Sequence, residues 1–550
     1  MIKKAAFAIA VVLFIGRPAL MAQTEGEVKR LISIEKYSDA QSMLEKMIGG
    51  DPRNDKLDYL MGEVMFLTDN MGEAEAWFKK GQGHSGRNPM NYIGSGGVAA
   101  RQENFDKAKK ELDEALDLNN KNSPKIILEV AKAYLEYQGT DRKKMQPYLN
   151  AAEPLLIRAQ KLAPKDPEPE VLLGKLYGMQ GVEELEQNRY EQAISKDPTY
   201  IFGYLRLGQL YKKQEKYQDA ADKFKKALEI DAGYGPVYRE MAEMWTLAGK
   251  YDKAEESMTK YLEIMGSDDV NALEKKGIIE YLGGQYEKAI ATFEGIAGKT
   301  KSLIVPRLLG YCYVKQATPD ADKGMEWLDK YFEATKAKPN NIIASDYENY
   351  GKAYQLKGET EKAIEYYEKS IAKAAEKEDA EVDGSLYMVI ADIYKAQKND
   401  SMRVTYLRKF LNSSKKYKLK ESFALGQTYF LMKDYEHADS IFGVMTEKLP
   451  KLHIGWAWRA RANASMDPES KEGKAKPYYE KVIELLEAEP EKAVKYQKDY
   501  LLSLRYMGAY HTLTEENFEL AAPFWQKILD ISPEDEGAKN GLDFIKQNGG

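Results

Sequence analysis

The chain has 550 residues, and its 81 Lys and Arg nearly balance its 87 Asp and Glu, for a formal charge of -6. Charges of both signs are interleaved and no basic stripe stands out, which argues against a nucleic-acid partner. The single cysteine, Cys312, excludes an internal disulfide. A chain of this length makes about three or four ordinary globular domains or one continuous repeat body.

Lys3 and Lys4 open the chain and are followed by an almost wholly apolar run from Ala5 to Gly16. Arg17 and Pro18 end the run, and small residues lead to Ala22-Gln23. A bilayer needs about 20 apolar residues, so this run is short for a span. A basic start, an apolar stretch and a small residue at the cut describe a secretory leader, residues 1–22. Its removal takes away Lys3, Lys4 and Arg17 and moves the formal charge from -6 to about -9. No cysteine lies near the cut to carry a lipid, and no second apolar run approaches membrane length. Export without disulfides suits a bacterial envelope, with the periplasm the expected compartment and a position peripheral to the outer membrane compatible with it.

Beyond the leader, a small residue recurs about every 34 positions with a large apolar residue four places later: Ala40 and Leu44, Ala74 and Phe78, Ala108 and Leu112. The series resumes with Ala220 and Phe224, Ala254 and Met258, Ala289 and Phe293. The clearest unit runs from Ile201 to Ala232. Tyr204, Leu207, Gly208 and Tyr211 share one face of a first helix. Gly208 lets a neighbouring helix approach closely. A polar turn, Lys213 to Lys216, precedes a second helix carrying Tyr217, Ala220, Phe224 and Ala227. Ala220 is the expected close contact with the first helix, and Phe224 is expected to pack outward on the next unit. Prolines at 52, 164, 198, 450 and 533 mark unit ends, because proline cannot continue a helix interior.

This unit resembles the tetratricopeptide repeat (TPR), which places an aromatic, leucine-glycine and tyrosine on its first helix and alanine, a bulky residue and alanine on its second. The resemblance extends over nearly the whole chain beyond the leader. Gly62, Gly96 and Ala131 fall in early units, and Leu173, Gly174 and Tyr177 open another in which Glu186 stands where alanine is expected. Later units carry Ala242, Gly277, Gly310, Gly351, Ala391 (with Arg403 in the alanine place), Gly426, Ala460 and Gly508. About fourteen repeats result. The implied fold is all-α: a right-handed α-solenoid superhelix of antiparallel helix-turn-helix repeats, with one array over 23–300 and a second, longer-looped array over 301–533. Residues 534–550 form a capping helix and tail, with Ala538, Leu542 and Ile545 on its inner face.

The period is interrupted at four places: about nine extra residues before Ala152, Ala317 to Asp320, Glu376 to Gly384, and Met466 to Lys476. Insertions in solenoids emerge as loops and are candidate grips for a partner. Gly94-Ser95-Gly96-Gly97 looks like a phosphate loop but falls inside a first helix, without the strand that such a loop needs. His84, His437, His453 and His511 show no metal-ligand spacing. Cys312, between apolar neighbours, reads as a buried structural thiol. No catalytic constellation, cofactor site or metal site is apparent, so the chain reads as non-enzymatic.

Some TPR domains clamp a chaperone terminus with lysine and asparagine one turn apart on the first helix. The pairs here are Leu205 and Gln209, Arg239 and Glu243, Arg307 and Tyr311, and Glu348 and Lys352, so that activity does not carry over. These positions should still line a concave surface, with Arg239, Arg307, Tyr311 and Lys352 contacting a protein or peptide partner. The resemblance implies an interaction scaffold or adaptor in the bacterial envelope, serving a multi-protein envelope or secretion complex through several modest contacts acting together. The rival reading is a glycan- or nutrient-binding module of an outer-membrane uptake system. Nothing in the sequence encodes the oligomeric state.

Overall fold

The computed structural model describes residues 24–119, 122–376, 384–414 and 416–548. The leader at 1–22 and most of the acidic interruption between Glu376 and Gly384 lie outside the described residues. The described residues form helices paired into hairpins and no strand, so the chain is an all-α solenoid of antiparallel helix pairs. It divides into two compact units, one up to Gln316 and one from Ala317, the place where the sequence shows its second interruption. Among the described residues the first unit holds eight hairpins, from helix 24–33 with Tyr37–Gly50 to Val270–Leu282 with Tyr286–Ile296, followed by the helix Ile304–Lys315. The second unit begins with Ala321–Thr335 and ends on the helix Glu536–Asn548, whose Ala538, Leu542 and Ile545 pack with Trp525 and Ile528.

Most of the hairpins are built around one glycine notch. In Ile201–Lys213, Gly208 faces the ring of Phe224 so closely that an added Cβ would lie 2.5 Å from it. The ring is fully buried, which contributes roughly 1.5–3 kcal/mol. Gly62 and Phe78, Gly174 and Tyr190, and Gly277 and Phe293 repeat the arrangement in the first unit; Gly351 and Tyr367, Gly426 and Phe442, and Gly508 and Trp525 repeat it in the second. Phe224 therefore packs first on the glycine of its own hairpin, a correction to the outward packing expected from the sequence. A residue four positions after an alanine in a second helix is aimed at the hairpin interior, where a glycine on the facing helix leaves room for an aromatic ring.

Asparagine and aspartate close many of the helix starts. Asn54 accepts from the Lys56 backbone N–H at 3.1 Å, and Asp141 from that of Lys143 at 2.8 Å. The extra residues before Ala152 are divided between loop and helix. They lengthen both the connection, which spans 135–141, and the second helix of their hairpin, which runs from Arg142 to Leu162, and Tyr137 stacks on Tyr148 at 4.9 Å across the connection. The interruption at 466–476 is a loop gathered by Asp467, which accepts from the Glu472 and Lys474 backbone N–H groups at 3.1 and 3.4 Å. Gly94 to Gly97 lie inside the helix Pro89–Arg101, where Gly94 meets Phe78 and Gly96 meets Leu112, so their small size serves packing.

Candidate functional site

The notch fixes which side chains face inward. In the first unit, the residues three before and one after the small notch residue point to the inside of the coil. Around Gly62 these are Tyr59 and Glu63; around Gly96 they are Ile93 and Gly97; after Ala131 comes Lys132. All of these except Gly62, Gly96 and Ala131 themselves line a cavity of about 740 Å³. The first hairpin supplies a further wall with Glu25, Lys29, Ile32 and Ser33, and Phe202 of the sixth hairpin supplies another. The lining thus mixes aromatic rings with charges of both signs.

The charges are unevenly matched. Glu136 contacts Arg101 and lies 3.5 Å from Lys175; burial pushes its carboxyl up, but Lys175 and Arg101 together hold it below the usual range. Lys132 stands 3.7 Å from Glu129. Burial works against its charge, but Glu129, Glu168, Glu63 and Glu136 keep it protonated beyond the ordinary lysine range. Glu63 is less fully supported. Burial lifts it to about 6 and outweighs Lys132 and Lys29, which oppose the rise, while Glu129 adds to it. Tyr59 beside it is likewise pushed up, by burial and then by Glu63 and Glu129. A carboxylate left under-neutralised beside aromatic rings gains when a cationic group enters.

Beyond the cavity the inner residues of successive repeats are tied to one another. Lys212 reaches Glu240 at 2.6 Å and Glu243 at 3.2 Å, and Lys275 reaches Glu243 at 2.9 Å. This ladder commits those groups to neighbouring repeats, whereas the cavity around Glu63 stays open to a ligand.

Residues 201–234 match one tetratricopeptide-repeat family model and residues 347–372 match another. Both stretches are tetratricopeptide repeats, and the chain carries TPR repeats in each of its two units. Among solved structures it is similar to the C-terminal part of a TPR repeat-containing protein from Cytophaga hutchinsonii, at 29% identity over 48% of this chain and 98% of that one, with a TM-score of 0.36. It is also similar to a tetratricopeptide repeat protein from Parabacteroides merdae (19% identity, 48% and 96% covered, TM-score 0.32) and to the MamA protein (18%, 33% and 97%, 0.29). No curated protein matches it.

Of the four inner residues singled out in the sequence, Arg239, Arg307 and Tyr311 lie in the first unit and Lys352 in the second. Arg239 is bound by Glu35, with a second contact at 3.0 Å, and lies over the Tyr261 ring. Tyr311 is buried; its ring packs beside Tyr281, and Lys315 stands over it. Arg307 is partly buried on the same helix, Ile304–Lys315. Lys352, in the second unit, pairs with Glu348 on its own helix at 2.6 Å. None of the four lines the cavity. Tyr59, Glu63, Ile93 and Lys132 do, and they occupy the same register as the chosen four. Applied to the repeats at Gly62, Gly96 and Ala131, that rule finds them.

The remaining candidates serve packing or local pairing. His84 pairs with the buried Asp58 at 2.7 Å, His437 caps with Asp434 at 2.9 Å, and His511 pairs with Glu515 at 2.7 Å. Cys312 is fully buried, and burial pushes its thiol up to about 12. Among the described residues no group of three or more His, Cys, Asp or Glu is arranged to hold a metal ion, and no helix is long and apolar enough to cross a membrane.

Proposed function

We propose that this TPR protein is an exported envelope scaffold that holds partner proteins through the inner surface of its first unit. The TPR fold supports protein–protein interaction as the class of function. The finer reading rests on the cavity of about 740 Å³, where Tyr59, Phe66 and Phe202 offer apolar faces and Glu63 offers a poorly neutralised carboxylate. An extended polypeptide segment with a basic residue among apolar ones fits that lining: rings cover its apolar side chains, and Glu63 with Glu129 receives its cation. Export rests on the basic and apolar start of the sequence.

A photo-crosslinking amino acid at Tyr59 or at Phe202, installed in the native cell envelope, should yield discrete polypeptide adducts. The same group at exposed Lys225 on a second helix should not. Adducts from Lys225 with none from Tyr59 or Phe202 reject the inner surface as the docking site. Export is read separately, by amino-terminal sequencing of the protein from the envelope fraction: a start at Gln23 supports it, and retention of Lys3 and Lys4 rejects it.

A further inference from the structure

Two ion pairs in the first unit join residues far apart in sequence. Arg30 lies 2.7 Å from Asp231, and Glu35 grips Arg239 across a separation of 204 residues. Between them, Ile34 is buried in the same apolar cluster as Tyr234, Val237 and Tyr261. The first hairpin thus touches the seventh, and the coil of the first unit closes on itself. The join is thin. Val28, Ile32, Ala40 and Leu44 of the first hairpin belong to a different cluster, with Leu57, Leu60 and Val64 of the second. Among the described buried residues of the first hairpin Ile34 alone crosses over, with half-buried Tyr37 facing Arg239, Tyr234 and Tyr261 beside it and with charges that keep part of their exposure: 51% of the Arg30 side chain and 25% of that of Glu35. Successive repeats, by contrast, share continuous apolar faces. A contact of two partly exposed ion pairs, one buried aliphatic side chain and one half-buried ring holds with modest strength beside a continuous apolar face and yields to small changes.

The same hairpin forms one wall of the cavity, through Glu25, Lys29, Ile32 and Ser33. We propose that the first hairpin is a clasp: bound to Asp231 and Arg239 it shuts the inner cavity into a ring, and released it opens that cavity along its side. An extended segment lying between folded parts of a partner has no free end to thread, so it enters only when the clasp is open. This inference rests on the inner cavity being the docking site.

The clasp is tested on the full chain without any partner. Spin labels on cysteines replacing exposed Glu27 and Ala232 report the gap, with Cys312→Ser as the background. One short distance is expected in that background. Glu35→Arg, or Arg239→Glu alone, should raise the fraction at longer distance by about tenfold, and the two together should restore the short distance with helicity unchanged. An unchanged distance in the single variants, or failure of the double variant to restore it, overturns the clasp. Gating is read at Glu63→Cys, with N-ethylmaleimide and a long polyethylene-glycol maleimide as probes. Glu35→Arg should speed the bulky reagent by about tenfold and leave the small one nearly unchanged. Equal bulky-reagent rates with the clasp intact and broken overturn the gating role. Failure here leaves the crosslinking at Tyr59 and Phe202 untouched, and failure of that crosslinking leaves the spin-label distances untouched.

Discussion

Two adjacent hairpins of the first unit solve one packing problem with different residues. The hairpin of Ile201–Lys213 and Tyr217–Ile230 follows the repeat pattern, with Tyr204 on its first helix and Ala220 at the crossing. The hairpin before it, Glu168–Gln180 with Glu183–Lys196, has Glu170 in the register of Tyr204 and Glu186 in that of Ala220. It keeps the notch, with Tyr190 seated on Gly174. It makes room for Glu186 with a second glycine, Gly178, where an added Cβ would lie 2.7 Å from the Glu186 carboxylate. The repeat is therefore a rule about volumes and approach distances, and residue letters follow it only where nothing nearby compensates.

The largest expected difference between the two hairpins lies at Glu170. This carboxylate is 1% exposed and takes Lys196 at 2.7 Å and Arg189 at 3.0 Å. Burial alone raises its pKa, yet Lys196, Gln160 and Arg189 together hold it below the usual range. Glu170→Ala strands two cations that can still reach water, so the local cost should be about 2–3 kcal/mol at neutral pH. A depressed folded pKa means that the contribution is complete above the unfolded carboxylate value and fades as pH falls below it. Hydrogen exchange across Glu168–Lys196 should therefore show a gap between wild type and variant that narrows in acid. A gap that is constant with pH would make Glu170 a packing residue and nothing more.

The second test concerns compensation. Alanine in place of a helical glycine gains roughly 1 kcal/mol of propensity, but at Gly178 the new methyl displaces the Glu186 carboxylate from Tyr190, whose hydroxyl donates to it at 3.2 Å. Gly178→Ala should be less favourable by about 1 kcal/mol when Glu186 is present than in a Glu186→Ala background. A double-mutant cycle reads this coupling directly. Additive effects would show that Glu186 is tolerated for some other reason and that Gly178 is incidental.

The hairpins and their order were legible in the sequence because both depend on local spacing. Gly208 and Phe224, or Gly277 and Phe293, lie within one repeat, and the 3.6-residue period puts each on a known face. The register that places Tyr59 and Glu63 inside the coil was legible too, since it is the register of Arg239 and Glu243 moved back along the repeats. The pairing of Glu35 with Arg239 was not. It depends on the accumulated twist of six hairpins, which no local pattern encodes, and it turns Arg239 from a free inner cation into a bound one. The long helix Arg142–Leu162 was hidden for another reason: Pro147 and Pro154 mark a helix end in most contexts, yet here both are carried inside one.

The smallest difference between the two hairpins lies in the turns between their helices. Both turns need a residue in the left-handed region, and the earlier hairpin supplies Gly181 at φ 79° whereas the later one uses Glu215 at φ 59°. The turn is closed in the same way each time: the Lys216 backbone N–H donates to the Tyr211 carbonyl at 2.9 Å, and that of Val182 donates to the Tyr177 carbonyl at 2.9 Å. Glu215 is exposed, so glycine there would lose no packing. It would relieve about 1–2 kcal/mol of left-handed strain and give back part of that to the freer unfolded chain. Glu215→Gly should therefore slow exchange of the Lys216 amide by an amount worth about 0.5–1 kcal/mol, and Gly181→Ala should speed exchange of the Val182 amide by a similar amount. If both amides exchange unchanged, turn strain does not set local stability, and the difference between the hairpins lies wholly in Glu170 and Glu186.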